Sequence, residues 1–541
     1  MIKASGINMI NYTVNDAVTQ LDSVRKALEK AEQYGLGWFV NDDVLNTKID
    51  ITKGNQINEG AANLTTSELA ARLGKYSYYD SFLGIFVKDE PSYKGGDTFQ
   101  DYRLLDYYLD TAAQLNSYTN TVGFINLVGQ SANTVNNYVP GSDSKKLTDN
   151  YDKYWKQFTD KANAQVFSLD DYPINAEPIP VAGACGYFRS LGKMRQESLD
   201  KNTPFWSFVQ AGGDFGNDTQ TSNTSVPTEG ETYWNVNTAL AFGAKGIEWF
   251  PVIQPREFDG VTDPSVENSV DRNGVILSDG TASTFSKWVQ KANAQIAAVD
   301  DVLMKATSTA IVASGGYAKT QAAGTVNGDN NVQTITTTNV EEAHGKLTKV
   351  ESSDTEYGAL VGCFDYRDTE AFYIVNYDTT ENESETITLT FDDDYRVRVV
   401  QNAQNSCIAT ADQKLTFTIP SGEGVLVVLE NDADQQCYYE SVTDTDGNIV
   451  YKCSVHVHAV TEEDGSITYQ NNGEGVKCGD MNDDGSVDVR DLVHMKKAEK
   501  KLATFRVNGI GDINDDGIIN IDDIADLRYY LVHSKRRMNS R

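Results

Sequence analysis

In the run GIFVKDEPSY, Asp89 and Glu90 close an apolar stretch and Pro91 forbids its extension as a strand. Two carboxyl groups delivered side by side can do general acid–base chemistry, because the charge of one raises the pKa of the other and keeps a proton on it near neutrality. Glu90 is the expected general acid, with Asp89 beside it, and a second carboxylate is needed as nucleophile or base. FSLDDYPI repeats the pattern with Asp170, Asp171 and Tyr172. In KGIEWFPV, Glu248 interrupts an apolar run; if Ile247 and Trp249 face one side of a strand, Glu248 faces the other, and it is the first choice for the second carboxylate. Each acidic strand end has a plainer reading as a helix cap or a solvated group. The five histidines are His344, His456, His458, His494 and His533, so the first 300 residues hold no serine triad and no histidine-ligated metal. All six tryptophans lie there instead, and the chain has 28 tyrosines, which supplies flat amphipathic faces of the kind sugar rings stack on.

A second constellation lies near the end. GDMNDDGSVDVRDL begins at Gly479 and GDINDDGIINIDDI at Gly511. Aligned, they place oxygen side chains at loop positions 1, 3, 5, 9 and 12, the spacing that wraps calcium. These are Asp480, Asn482, Asp484, Asp488 and Asp491 in one copy, and Asp512, Asn514, Asp516, Asn520 and Asp523 in the other. Gly485 and Gly517 occupy position 6, where such a loop turns sharply. Two calcium ions are therefore expected, and no cofactor for catalysis.

The elements that must position the carboxylates are legible as apolar runs. GINMINY (6–12), GWFVND (37–42), FLGIFVKDE (82–90), TVGFINLVG (121–129), AQVFSLDDY (164–172), PFWSFVQA (204–211) and KGIEWFPV (245–252) read as strands buried on both faces. Helical patterns such as AVTQLDSVRKALEKAEQYG, YRLLDYYLDTAAQLN and YWNVNTALAFGAKG lie between them. Seven strand–helix units predict a parallel (β/α)8-type TIM barrel lacking one unit over residues 1–300, with a doubly wound open sheet as the alternative. Residues 301–431 change to Thr- and Val-rich alternation (FYIVNYD, ETITLTFDDD, YRVRVVQN, KLTFTIPSGEGVLVVLEN) and predict an antiparallel β-sandwich. An acidic hairpin-like segment, 432–478, follows. In it Cys437 and Cys453 bracket a DTDGN turn and either face each other across two strands or remain free thiols.

The duplicated loop followed by a helix, with no helix before it, resembles the type I dockerin module over about residues 479–533. Membership implies a small α-helical calcium-binding domain that plugs a secreted enzyme into a cohesin domain of a scaffold or cell-surface protein. Val489 and Arg490 in one copy, and Ile521 and Asp522 in the other, stand where dockerins choose their partner. The barrel and sandwich together resemble the TIM-barrel clan of retaining glycoside hydrolases, whose acid/base glutamate follows the fourth strand in an Asn-Glu pair and whose nucleophile glutamate ends the seventh. Glu90 fits the first position, with Asp89 in place of Asn. At the second, WSFVQAGGDFG offers Gln210 and Asp214. The resemblance implies cleavage of O-glycosidic bonds in a plant or microbial polysaccharide, with Asp171, Tyr172, Gln210 and Trp249 expected to bind substrate. The alternative is a non-catalytic carbohydrate-binding or scaffold subunit with a degenerate barrel.

A net charge of −32 argues against nucleic acid as a partner, and no run of 18 apolar residues offers a membrane span. The dockerin resemblance implies an extracellular, scaffold-attached protein, whereas MIKASGINMI shows no signal peptide. Together with the seventh-of-eight unit count, this leads to the expectation that the natural chain begins upstream, which would make the KDEP strand the fourth.

Overall fold

The computed structural model describes residues 1–11, 21–42, 49–50, 56–57, 65–90, 94–95, 99–100, 102–118, 121–129, 155–174, 184–212, 226–254, 274–322, 340–367, 369–429, 439–443, 449–453, 457–461 and 467–471, with Ile524 and Leu527. Both calcium loops, Pro91, Asp214 and Cys437 lie outside the described residues. So does nearly all of 479–533, of which Ile524 and Leu527 are helical and buried.

Each of the seven apolar runs is a strand: β1 (Met9–Asn11), β2 (Gly37–Asn41), β3 (Phe82–Asp89), β4 (Val122–Val128), β5 (Phe167–Asp170), β6 (Phe205–Gln210) and β7 (Gly246–Phe250). They pair in chain order and every pair is parallel. That order is barrel topology and excludes the doubly wound alternative, in which strand order reverses at a switch point. Among the described residues the sheet has seven strands rather than the eight of a closed barrel, and β1 and β7 do not pair. Side chains bridge them instead: Asn11 Nδ2 donates to Glu248 Oε2. Outside this seam runs the helix Ser286–Leu303, whose Asn293 Nδ2 donates to Ser5 O at 2.7 Å and whose Asn293 Oδ1 accepts from Trp249 Nε1 at 3.1 Å. Gly6 permits the approach: it has φ of 85°, and a Cβ there would lie 2.7 Å from that of Asn293.

Alternation along the strands sends one residue in two inward, and the inner residues form two tiers. The lower tier is apolar: Phe39, Phe86, Phe124 and Val166, with Met9, Leu83, Val122 and Trp206 against them. Ring centroids of Phe124 lie 5.0 Å from Phe39, 5.4 Å from Phe86 and 5.7 Å from Trp206. The indole of Trp206 occupies the place where any side chain at residue 246 would begin, 2.4 Å from a Cβ there, hence Gly246. Because Phe124 touches three other rings and is buried, Phe124→Ala is expected to cost about 3–5 kcal/mol of stability. Denaturant midpoints of wild type and variant measure it, and a loss below about 1 kcal/mol would mean that the tier is not packed as described.

The helices outside the sheet include α1 (Leu21–Gln33), α2 (Thr66–Leu73), α3 (Tyr102–Asn116), α4 (Ala184–Lys201), α5 (Glu229–Ala241) and α6 (Ser286–Leu303). Capping boxes at Thr65/Glu68 and Thr228/Glu231 start α2 and α5. Along α5 nearly every residue is buried, because its other side meets a second domain. That domain is a β-sandwich of β8 (Thr307–Ser314), β9 (Val340–Glu341), β10 (Leu347–Ser352), β11 (Ala359–Tyr366), β12 (Thr369–Asn376), β13 (Ser384–Phe391), β14 (Arg396–Gln401), β15 (Gln404–Ala409), β16 (Lys414–Pro420) and β17 (Gly424–Leu429). A seven-stranded sheet β9-β8-β11-β12-β17-β14-β15 faces a three-stranded sheet β10-β13-β16, and apart from the parallel β8/β9 pair the neighbours are antiparallel. Val312, Phe372, Ile374, Ile387 and Val427 belong to the core between them. The two domains are pinned by Tyr373 OH donating to Asn237 Oδ1 at 2.7 Å, and by Arg398 with Asp301 at 2.6 Å and 3.2 Å.

Beyond the sandwich, Tyr439–Thr443 pairs with Ile449–Cys453, and Val457–Thr461 with Ile467–Asn471, as antiparallel hairpins. The first brackets the expected DTDGN turn and sets Cys453 opposite Tyr439. Among the described residues no helix is long and apolar enough to cross a membrane.

Candidate active site

The upper tier of the barrel is polar. Asn11 on β1, Asn126 on β4, Ser168 on β5 and Glu248 on β7 form one hydrogen-bonded chain. Asn126 is fully buried, and its Nδ2 donates to Asp89 Oδ1 and to Asp170 Oδ2, both at 2.9 Å. One amide thus holds two carboxylates, since its two hydrogens point in fixed directions. The Ser168 hydroxyl lies 2.8 Å from Asn126 Oδ1 and 2.7 Å from Glu248 Oε1. It has a single hydrogen for two acceptors. A protonated Glu248 completes the set, because its own O–H fills the bond that Ser168 cannot supply while Asn11 donates to its other oxygen. Burial pushes the Glu248 carboxyl up to about 8 against the lowering by Ser168 and Asn11, with Asp89 raising it further.

Glu90 stands one residue past β3 with φ of 42°. A left-handed conformation is strained for a residue with a Cβ, and such strain gathers at functional positions. Its N–H still bonds Asn126 O at 3.0 Å, which extends the ladder by one residue and fixes it on the rim. The residue as a whole is exposed, yet its carboxyl group is largely enclosed, and it is raised to about 7 by burial first, then by Asp89 and Asp171, against Lys88. Asp170 is raised well above the ordinary range, by burial first and then by Glu90. Glu90, Asp89 and Asp170 therefore feel one another at the carboxyl ends of β3 and β5, on either side of β4, and that end is where barrel enzymes do their chemistry.

The other expected site residues are placed as follows. The half-buried Tyr172 ring lies 6.0 Å from that of Phe250, and Phe250, 52% exposed, makes an aromatic edge to the rim. Asp170 Oδ1 and the Tyr172 hydroxyl are buried and neither completes a hydrogen bond, although they are near enough for the hydroxyl to lower the carboxyl. Three of the residues expected to bind substrate stand in enclosed surroundings. Asp171 is buried and turned toward α4, accepting from Ser190 Oγ at 2.6 Å. Gln210 is also buried, and its amide clasps the backbone of Ile174, accepting from its N at 2.6 Å and donating to its O at 3.0 Å. Trp249 faces α6 and Phe285, outside the barrel, as strand alternation with an inward Glu248 requires. Glu248 is inward as read, but it is bound beneath the rim.

Asn11, Asn126, Ser168 and Phe250 were not singled out in the sequence. A signal exists for each: a polar residue inside NMINY, GFINLVG and VFSLD, and an aromatic two positions beyond Glu248, on the same face.

The neutral Glu248 has a thermodynamic consequence. An unfolded glutamate titrates near about 4.3, and the folded one near about 8. The fold therefore holds this proton more tightly than the unfolded chain, so the stabilising contribution is complete below the unfolded value and is lost as pH rises through the folded one. Glu248→Gln keeps the shape, donating to Ser168 and accepting from Asn11, and is expected to flatten the decline of thermal midpoint between about pH 5 and about pH 9. Calorimetry across that range tests it; parallel curves for the two proteins would show that Glu248 ionises normally in the fold.

No protein-family model matches the chain, and no curated protein does. Solved structures do. A family 39 glycoside hydrolase from the gut symbiont Bacteroides cellulosilyticus WH2 is similar at 13% identity and a TM-score of 0.39, over 79% of this chain and 76% of that one. The GH53 catalytic domain from Ignisphaera aggregans is similar at 14% identity and a TM-score of 0.35, over 54% of this chain and 87% of that one. A β-galactosidase from the psychrophilic Marinomonas ef1 is similar at 10% identity and a TM-score of 0.32, and this chain covers 56% of its length.

Proposed function

We propose that the chain is a glycoside hydrolase acting on a plant or microbial polysaccharide, with Glu90 as general acid. The observation that carries this is the rim cluster: Glu90 with a carboxyl raised to about 7, Asp89 and Asp170 held by the Asn126 amide, and the Tyr172–Phe250 aromatic edge beside them. A carboxyl of that pKa is protonated often enough to protonate a leaving glycosidic oxygen and is ionised often enough to be recharged. The second carboxylate comes from the Asn126-held pair, because Glu248 is buried, neutral and already bonded. Its role is to position Ser168 and, through it, Asn126. The Tyr172 and Phe250 rings offer an apolar face for a sugar ring.

The two loops at 479–491 and 511–523 support a type I dockerin that binds two calcium ions and docks a cohesin domain, which would place the protein outside the cell on a scaffold or cell surface.

One observation favours a non-catalytic carbohydrate-binding reading: β6 ends in Gln210, whose amide is taken by the Ile174 backbone. A panel of polysaccharides separates the two. Release of reducing ends from at least one member is expected; binding without any release across the panel would establish the binding module instead.

A further inference from the structure

On β13 the buried residues alternate with exposed or half-buried ones, and the buried series is Glu385, Ile387, Leu389 and Phe391. A carboxylate thus occupies a register in which an apolar side chain belongs. Glu385 is only 3% exposed. Its Oε2 accepts from Ser352 Oγ, whereas its Oε1 is buried and meets no donor. Leaving a buried carboxylate oxygen without a partner is costly, so something must compensate it.

Two more carboxylates converge on it. Asp354 follows β10, Asp378 follows β12, and one oxygen from each lies within 4.8 Å of the others and of a Glu385 oxygen. Each aspartate uses one oxygen to shape its own turn. Asp354 Oδ1 accepts the N–H groups of Glu356 and Tyr357 at 2.7 Å and 3.1 Å. Asp378 Oδ1 accepts the N–H and hydroxyl of Thr380 at 2.8 Å and 2.6 Å. Neither turn draws on the Oδ2 of its aspartate, and Glu385 Oε1 is likewise unused. Among the described residues, no lysine, arginine or histidine forms an ion pair with any of the three.

We propose that Asp354, Asp378 and Glu385 form a calcium site in the β-sandwich, separate from the two loops near the carboxyl end. All three ligands are hard oxygen donors, with neither histidine nor cysteine in the set, which selects against zinc. Three carboxylates on two turns and a strand suit the larger, geometrically tolerant calcium better than magnesium, which keeps most of its water and prefers one or two carboxylates. Half-buried Asp354 leaves a path to solvent for the remaining oxygen ligands. The ion would tie the turn after β10 to the turn after β12. The latter packs on the barrel: a Cβ on Gly230 of α5 would lie 2.6 Å from Thr379 O. Calcium here therefore fastens the sandwich end that touches the barrel.

The test is calcium stoichiometry of the full chain, stripped with chelator and measured by equilibrium dialysis, for wild type and Glu385→Gln. The variant is expected to bind one ion fewer per chain, whatever number the carboxyl-terminal loops bind, so failure of the dockerin reading changes both totals alike. Equal totals would overturn the proposal. If Glu385→Gln does not fold, Asp354→Asn on the half-exposed turn serves: one ion should bind about tenfold or more weakly, because affinity follows the count of ligand charges. A titration superposable on that of wild type would likewise overturn it.

Discussion

Glu90→Gln is expected to lower turnover on a natural glycan about 10²–10⁴-fold while leaving substrate affinity nearly unchanged, because it removes a transferable proton and keeps the side chain's shape. The pH profile gives the sharper readout. A general acid works in its protonated form, so activity of the wild type should fall as pH rises through the value of about 7 to which burial and the neighbouring Asp89 and Asp171 raise Glu90. The variant should lack that limb. The sign follows from the carboxyl alone and does not depend on which of Asp89 and Asp170 is the second carboxylate. Asp89→Asn should also lower the midpoint of the limb, since it removes a negative charge that favours the protonated form of Glu90. Equal turnover by wild type and Glu90→Gln would make Glu90 a rim residue without chemistry.

Stripping calcium is expected to unfold residues 479–533 and abolish cohesin binding while the barrel transition stays in place. A module of this size has little apolar core, so most of its folding free energy must come from the ions. Asp480 and Asp512 stand at loop position 1 in the two copies, and replacing both by alanine should reproduce the effect of chelator at saturating calcium. Calorimetry with and without chelator, paired with a cohesin pull-down, reads both parts. A carboxyl-terminal transition indifferent to chelator would remove the calcium reading, and a calcium-loaded module that binds no cohesin would remove the tether. The sandwich site proposed above would also respond to chelator, but Glu385→Gln isolates that response.

The barrel strands were legible because strands covered on both faces are continuously apolar, and GIFVKDE or GFINLVG needs no partner to show it. Capped helices such as α2 announce themselves through Thr65 and Glu68 for an equally local reason. Direction across a strand was legible too. Glu248 inward and Trp249 outward follow from alternation, and the position of Trp249 against α6 is the result. Aromatic content, by contrast, says nothing about which wall a ring faces.

Local pattern was enough to set the strands and their acidic ends, since each depends on a few neighbouring residues, whereas the strand order that separates a barrel from a doubly wound sheet came from the fold. The state and employment of the acids were not within reach of local pattern. Asp171, Gln210 and Glu248 looked alike as polar groups in or beside apolar runs, yet folding turned one toward Ser190, clamped one to Ile174 and buried one between Ser168 and Asn11. Those partners lie 19, 36, 80 and 237 residues away along the chain. Desolvation and hydrogen bonding act through space, so a carboxyl's proton affinity is decided by what the fold brings within a few ångströms of it.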